Sequence, residues 1–246
     1  MAVRFDAVAD RLLRTANVID YNAVYTVCCW VNLTTNSASD QAIFFLGAND
    51  GFQNYDEWGC TGASPTFQCT IDSSAIATSQ VTGSVMTAGT WYHFAAVRTS
   101  VTQVLVYIDG VVDITNNHGS VAGRTAATRQ EFGGAESTNG DTFNGRVFAM
   151  KAWSTNLSVA EINQERFTIL PCRWESLVGW WSGFPGSGER ARDYSGLARN
   201  FTESGTLTDE DPPPVAYGGS GILEPFRTAA KSKPRLQPRW RFIRMR

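Results

Sequence analysis

Residues 90–113 read TWYHFAAVRTSVTQVLVYIDGVVD, and this stretch decides the fold class. Aromatic, aliphatic or β-branched side chains occupy alternate positions, over residues 91–97 and again over residues 104–108. Such period-two alternation is typical of antiparallel strands with one buried face. The pair Asp109-Gly110 that follows is a two-residue turn of the kind that tight hairpins prefer. The stretch therefore predicts two strands and a tight turn in an all-β protein.

Other segments match one known family in the same order. Residues 4–13 read RFDAVADRLL, residues 26–35 read TVCCWVNLTT, and residues 132–153 read FGGAESTNGDTFNGRVFAMKAW, with LSVAEI soon after at 157–162. They resemble the FDGVDDYV, FTISAWV and LGG…FNGRIDEVRIYNRALSAAEI motifs of laminin G-like, concanavalin A-like lectin domains. The 90–113 stretch resembles the W-H-aromatic-A and LYVDG strands of that family. The resemblance implies a two-sheet antiparallel jelly-roll sandwich.

One short helix is expected, over residues 159–167. Ser158 precedes it and Glu161 lies three residues further on, which is a capping-box pattern. The resemblance implies that this helix packs beside the sandwich and has a structural role.

Residues 177–207 read LVGWWSGFPGSGERARDYSGLARNFTESGTL. They resemble the LVGYWPLDEGSG…ARDSSGNGNHGTLTG segment that usually precedes the FDG strand of the family, but here they follow the body of the domain. We interpret this order as a circular permutation within one domain, residues 1–217. The alternative is a truncated second copy. The permutation is favoured because no second AWV or YIDG motif follows.

Charge is unevenly distributed along the 246 residues. Residues 1–226 hold 13 basic and 23 acidic side chains, a net charge of −10, whereas residues 227–246 hold eight basic and no acidic ones. A Gly-Gly-Ser-Gly hinge at 218–221 separates the two parts. The sequence therefore predicts an extended basic C-terminal arm, residues 218–246.

Several roles are open for this arm: a disordered end without a specific function, nucleic-acid binding through phosphate contacts, or docking on an acidic protein surface. The acidic body disfavours a nucleic acid, and Trp and Arg are typical interface anchors. We therefore favour docking on a partner protein, through Phe226, Arg227, Arg235, Arg239, Trp240, Arg241 and Phe242.

No catalytic pattern is recognisable. The related hydrolases carry paired carboxylates as E-x-D-x-x-E on one strand, and this pattern is absent. The acidic pair Asp56-Glu57 is interpreted as part of a loop. His93 falls at a strand position typical of a packed core residue, and His118 lies in an exposed turn. The protein is therefore not expected to be an enzyme.

The resemblance implies a calcium site in many relatives, and hard cations prefer oxygen ligands. Asp6 and Asp193 match acidic positions of the family. Phe148, however, occupies the position of the Asp in the family motif GRIDEV and cannot ligate a metal. No cofactor is therefore expected, and Asp6 and Asp193 remain the candidate ligands for calcium.

Sugar binding is the activity that the lectin resemblance implies. A loop over residues 49–58 has the aromatic and amide side chains that stack on sugars and bind hydroxyl groups, and ordinary turn chemistry is the alternative. Its candidate ligand-binding residues are Asn49, Asp50, Phe52, Asn54, Tyr55 and Trp58. A second loop, residues 137–141, is interpreted as a turn.

The five cysteines are an odd number. Cys28 and Cys29 are adjacent on a strand, so they point to opposite faces. We expect both to be reduced, and a bridge between Cys60 and Cys69 across a hairpin is an alternative. The first ten residues lack the features of a signal peptide. No run reaches the roughly 18 apolar residues of a membrane helix, so no membrane contact is expected.

The permuted ending and the arm resemble accessory structural proteins of tailed bacteriophages. The resemblance implies a non-catalytic virion protein, tied to a capsid or tail protein by its arm and aiding adhesion to cell-surface glycans. The alternative is a carbohydrate-binding lectin module at a bacterial surface or in the extracellular space. A homo-oligomer, in which residues 177–207 pair with a neighbouring subunit, also fits the sequence.

Overall fold

The computed structural model describes residues 1–214 apart from residue 17 and segments 36–39, 49–53, 74–75, 136–140 and 182–184. The predicted arm lies outside the described residues. The elements are β1 (Ala2–Phe5), β2 (Arg11–Arg14), β3 (Tyr25–Leu33), β4 (Gln41–Gly47), β5 (Tyr55–Thr61), β6 (Thr66–Ser73), β7 (Ile76–Val85), β8 (Trp91–Ser100), β9 (Gln103–Ile108), β10 (Val111–Asn117), β11 (Arg129–Phe132), β12 (Gly145–Trp153), α1 (Val159–Glu165), β13 (Leu177–Trp181), β14 (Thr202–Ser204) and β15 (Thr208–Glu210).

The strands form two antiparallel sheets. The eight-stranded sheet has the order β10-β9-β8-β3-β12-β1-β15, with β13 also paired to β12, and the seven-stranded sheet has the order β14-β2-β11-β4-β5-β6-β7. This architecture confirms the predicted two-sheet sandwich. Both predicted strands of the 90–113 stretch exist as β8 and β9. Asp109 and Gly110 have φ of 51° and 79°, the left-handed backbone that a two-residue hairpin turn requires.

Strand β12 pairs with strands from the beginning and from the end of the domain. One of its edges pairs with β3, while the other pairs with β1 over its first half and with β13 over its second half. The register shifts between Phe148 and Lys151, and Ala149 there has a φ of 53°. The bulge therefore lets one strand serve two partners in succession.

Residues 177–210 complete both sheets of their own chain. β13 pairs with β12, β14 with β2, and β15 with β1. The segment that follows the body of the domain thus lies beside the first two strands of the chain.

The core between the sheets is rich in aromatic rings. Trp58 stacks on Phe44 with ring centroids 5.4 Å apart, and Phe44 packs on Phe132 at 4.6 Å. Phe201 closes the set against Trp181 at 4.7 Å. These contacts join β4, β5 and β11 to the C-terminal segment, and burial of such rings is the main source of stability.

Helix α1 covers part of the outer face of the eight-stranded sheet. It begins at Val159 as predicted and ends at Glu165, two residues before the predicted end. Both hydrogen bonds of the predicted capping box are present, between Ser158 and Glu161. Ile162 packs with Trp153 and Cys28 on this outer face. In the described residues, no helix is long and apolar enough to cross a membrane.

The cysteines follow the strand alternation. Cys29 lies in the core between the sheets, while Cys28 lies on the outer face under α1, which confirms their opposite orientation. All five thiols are free, and Cys60 and Cys69 both point into the core.

Candidate functional site

The outer face of the seven-stranded sheet carries an unusual row of side chains. Strand pairing aligns Phe45, Glu57, Thr70 and Gln80 across β4, β5, β6 and β7. Since side chains alternate along a strand, the neighbours Asp56, Trp58 and Cys69 point the other way, into the core. The outer face therefore carries three polar side chains in this row, Glu57, Thr70 and Gln80, next to Phe45.

A cavity of about 270 Å³ opens on this face. We call it the acidic groove, because three of its eight lining residues are acids. The lining residues are Asp40, Tyr55, Glu57, Gln68, Thr70, Thr78, Gln80 and Asp141.

Glu57 is the most unusual group of the acidic groove. Glu57 is only 6% exposed, and its carboxyl group has no hydrogen-bond or ion-pair partner in the described part of the chain. Burial, together with the negative charges of Asp141 and Asp40, raises its pKa to about 8. Burial and Asp40 likewise raise the pKa of Asp141 to about 6. The groove therefore holds protons that ordinary carboxyl groups would release.

Gln68 is a second buried polar group with an unmet demand. Its Nε2 donates to Thr70 Oγ1 at 2.9 Å, while its Oε1 is buried and has no donor among the described residues. Buried polar atoms of folded proteins almost always have partners. The wall of the cavity therefore contains an acceptor whose hydrogen bond the described part of the protein does not supply.

Aromatic side chains border the groove. Tyr55 stacks on Phe45, with ring centroids 5.7 Å apart and planes inclined by 23°. Burial, followed by the charges of Glu57 and Asp72, raises the pKa of Tyr55, so its hydroxyl stays protonated. Phe45 is itself fully buried, so Tyr55 alone presents ring surface beside the acids.

Gly59 lets strands β4 and β5 approach closely beside the groove. It pairs with Gln68 on one side and with Ala42 on the other, next to a register shift of β4. A Cβ on Gly59 would lie 2.1 Å from the carbonyl oxygen of Gln41. No side chain fits there, because the backbone of β4 occupies the space.

Asp56 is held by a buried network below the groove. It accepts from Arg98 Nη2 at 2.6 Å, from Arg124 Nη1 at 2.7 Å and from the Tyr25 hydroxyl at 2.5 Å. Burial raises the pKa of Asp56, but the two guanidinium groups outweigh it and leave the pKa below its usual value. The network ties β5 to β8 and to the segment before β11, and so fixes the strand that carries Glu57.

The structure corrects the predicted glycan loop. The residues from Tyr55 onward form strand β5, so Asp56-Glu57 is not part of a loop. Trp58 is fully buried in the core and offers no surface for a sugar, and Asn54 is also buried. Asn49, Asp50 and Phe52 lie outside the described residues.

Of the predicted ligand-binding residues that the structure describes, Asn54, Tyr55 and Trp58, only Tyr55 lines the groove. Sequence reasoning missed Asp40, Glu57 and Gln68, and it interpreted the loop ending at Asp141 as a turn. Strand alternation was the signal that could have found Glu57, because the pattern Tyr-Asp-Glu-Trp places Tyr55 and Glu57 on one face.

The two candidate metal ligands have other roles. The carboxylate of Asp193 accepts from the backbone N–H groups of Trp180, Ser195 and Arg199, and so closes a turn. Asp6 lies after β1, 3.6 Å from Arg4 Nε. Across the described residues, no three His, Cys, Asp or Glu side chains are placed together to hold a metal ion.

The two histidines occupy the predicted kinds of position only in part. His93 is buried against Trp30, with ring centroids 5.4 Å apart, and burial lowers its pKa to about 3. His118 is half-buried rather than exposed, because its Nε2 lies 3.3 Å from Arg98 Nη1.

Comparisons with solved structures agree with this fold. A "putative carbohydrate binding protein" from Bacteroides ovatus superposes with a TM-score of 0.62 at 14% identity, covering 87% of this chain. The chain spans 61% of the length of that protein. A heptameric SAP-like pentraxin from Limulus polyphemus gives a TM-score of 0.50 at 15% identity, covering 66% of this chain and 80% of the pentraxin. At these identities the likeness shows the fold alone.

Sequence comparison gives the family. No curated protein matches the chain. Residues 8–163, more than half of the chain, match the third laminin G family model, described as concanavalin A-like lectin/glucanases superfamily. The chain therefore belongs to this laminin G-like family of the concanavalin A-like lectin/glucanases superfamily.

Proposed function

We propose that this protein is a non-catalytic carbohydrate-binding domain and that the acidic groove is its sugar site. The observation that carries the proposal is Glu57, a nearly buried acid that lines an open cavity and has no partner among the described residues, next to the unpaired acceptor Oε1 of Gln68. A ligand rich in hydroxyl donors satisfies such atoms, and leaving them unpaired is costly.

The groove has the composition that sugar recognition requires. A sugar presents donors around its rim and a flat C–H face, while the groove presents acid and amide side chains beside the ring of Tyr55. The carbohydrate-binding description of the Bacteroides ovatus protein of similar fold supports this proposal. It also supports an extracellular or surface location.

The test is binding of the full chain to a glycan array, followed by titration of the best sugar. Gln68→Met keeps the volume of the side chain but removes the orphan acceptor, and we expect at least a tenfold loss of affinity. Gln164→Met, on the exposed side of α1, is the matched control and should bind as the wild type does. Failure of the wild type to bind any sugar would overturn the proposal. Release of shorter sugars during the titration would contradict its non-catalytic part.

A second candidate function rests on the segregated charge of the chain. We propose that the basic arm, residues 218–246, attaches the acidic domain to a larger assembly such as a virion. Sedimentation with purified particles, lost on deletion of residues 222–246, is the expected result. Equal sedimentation without the arm would refute it.

We further propose that the domain is circularly permuted. The pairing of β14 with β2 and of β15 with β1 supports this, since the late strands lie beside the first ones. Moving residues 177–214 in front of residue 1 through a short linker should give a folded protein with similar thermal stability. An unfolded product would mean that the domain folds only with its segments in their present order, which would contradict the proposal.

A further inference from the structure

The lining of the acidic groove has one sign of charge. Asp40, Glu57 and Asp141 are acids, and none of the eight lining residues is basic. Among the basic side chains on the strands of this sheet, Arg11 and Arg129 are ion-paired with Glu131 on β11, and Arg14 donates to the carbonyl oxygen of Asn200. No cation in the described part of the groove lining therefore compensates the three carboxyl groups.

The interior of the acidic groove has acceptors that lack hydrogen-bond donors among the described residues. From the residues that the structure describes, neither the carboxyl group of Glu57 nor Gln68 Oε1, on the neighbouring strand β6, receives a hydrogen bond. Asp40 accepts from the hydroxyl of Thr61, and Thr78, at the rim, donates to Asp72. The unmatched groups of the interior thus call for hydrogen-bond donors, and the charge calls for a cation.

We propose that the acidic groove selects sugars that carry a free amino group, of the unacylated hexosamine type, over neutral N-acetylated and anionic sugars. This inference rests on the proposed sugar-binding function and names its substrate class. A sugar ammonium offers three N–H donors and one positive charge at the position of a single hydroxyl group. It therefore satisfies Glu57 and Gln68 and also neutralises charge at the same point.

The two competing sugar classes fit less well. An N-acetyl group replaces the charge by a neutral amide and adds an acetyl group inside a cavity of only about 270 Å³. A sialic acid or uronic acid brings a carboxylate towards three acids with no guanidinium to receive it. The preference for the amino sugar therefore combines attraction of its ammonium group with weaker binding of the neutral sugar and repulsion of the anionic one.

Proton release accompanies this recognition. Burial and the negative charges of Asp141 and Asp40 disfavour ionisation of Glu57 in the empty groove. Tyr55, the other titratable group of the lining, stays protonated and is neutral. A bound ammonium favours ionisation, so Glu57 gives up its proton on binding. At pH 6, where the amine is protonated, up to about one proton should leave for each amino sugar bound.

The experiment compares three sugars on the full chain by calorimetry: a glucosamine trimer, the same trimer fully N-acetylated, and sialyllactose. We expect the glucosamine trimer to bind at least tenfold more tightly than the other two at pH 6. Titration in two buffers of different ionisation enthalpy measures the released proton.

Two variants locate the effect. Glu57→Gln and Asp141→Asn should each reduce the preference for the glucosamine trimer to within about threefold. Glu57→Gln should also remove most of the proton release, because Asp141, with a pKa of about 6, is the other group that can give up a proton. The control Glu175→Gln removes one charge from a side chain that is 85% exposed, and it should change neither.

The outcomes separate the two proposals. Equal or tighter binding of the N-acetylated trimer or of sialyllactose to the wild type overturns the amino-sugar inference and leaves sugar binding intact. Absence of binding to every sugar, here and on the array, overturns the proposed function and this inference with it. A preference that survives both variants places amine recognition outside the groove and also overturns the inference.

Discussion

Two adjacent acids of β5 have opposite fates. Asp56 points into the core and accepts from Arg98, Arg124 and Tyr25. Glu57 points to the outer face, is almost as buried, and has no partner in the described part of the chain. Both acids are removed from water, so the difference lies in the groups that surround them. An acid with its partners supports the fold, whereas an acid without them is available for a ligand.

The largest expected effect comes from removing the charge of Asp56, the inner acid of the pair. Asp56→Asn leaves two buried guanidinium groups without a counter-charge, and we expect it to lower the free energy of unfolding by about 3–5 kcal/mol. Urea unfolding at pH 7 measures it, with Glu175→Gln as the control. A loss below about 1 kcal/mol would mean that the network does not hold β5 in place.

Glu57, the outer acid, changes stability with pH in the opposite direction to Asp56. The pKa of Glu57 is about 8 in the folded protein and near 4.5 in an unfolded chain. The folded state therefore binds the extra proton between these values, and its stabilising effect, complete below pH 4.5, is lost as the pH rises towards 8. We expect the wild type to lose roughly 2–4 kcal/mol between pH 5 and pH 8.5 relative to Glu57→Gln. Parallel pH profiles of the two proteins in urea unfolding would contradict this.

The depressed pKa of Asp56 acts in the other pH range. Its stabilisation is present above the usual value of 3.8 and is lost as the pH falls through the folded value. The two neighbouring acids thus limit stability at opposite ends of the pH scale.

Neutral polar groups sharpen the same contrast with a smaller effect. Asn116 is buried between the sheets and donates to the carbonyl oxygens of Cys69 and Ser79. Asn116→Leu should lower the free energy of unfolding by about 2 kcal/mol, because two carbonyl oxygens lose their donor. Gln68→Met on the outer face should stay within about 1 kcal/mol of the wild type, since it loses one hydrogen bond, to Thr70 Oγ1, and also removes an unpaired buried acceptor. Equal losses for the two variants in urea unfolding would contradict the contrast.

The smallest expected effect concerns His118 beside the inner network. Burial and the neighbouring Arg98 lower its pKa, although a hydrogen bond to the Gly119 carbonyl opposes them. The folded state thus disfavours the protonated ring, and its contribution to stability, present above pH 6.5, falls as the pH decreases. His118→Gln should reduce the change in the thermal unfolding midpoint between pH 7 and pH 5. An unchanged slope would show that the ring is not coupled to Arg98.

The sequence was sufficient for the fold, because strand alternation and turn residues act locally. Strands β8 and β9, the Asp109-Gly110 turn and the Ser158 cap all follow from neighbouring residues. The family resemblance added the order of the motifs.

The acidic groove could not be predicted in this way. Charged residues are rare in buried strands, so Asp56-Glu57 was interpreted as a loop. The partners that permit Asp56 in a strand are distant in the chain, 42 residues away for Arg98 and 68 for Arg124. Asp40 and Asp141 reach Glu57 only through the folded sheet. Trp58 was misplaced for the same reason, since its surface or core location depends on the strand register.

Strand β3 lies between β8 and β12, and all nine of its residues are buried. Its inner face meets the core and its outer face meets the layer under α1. Water therefore reaches its amide groups only when the whole domain opens, so their hydrogen–deuterium exchange should report the global unfolding equilibrium. The three-residue strands β14 and β15 lie at sheet edges and should exchange far sooner by local opening. A single exchange time course thus follows the domain from its fraying edges to its last protected strand.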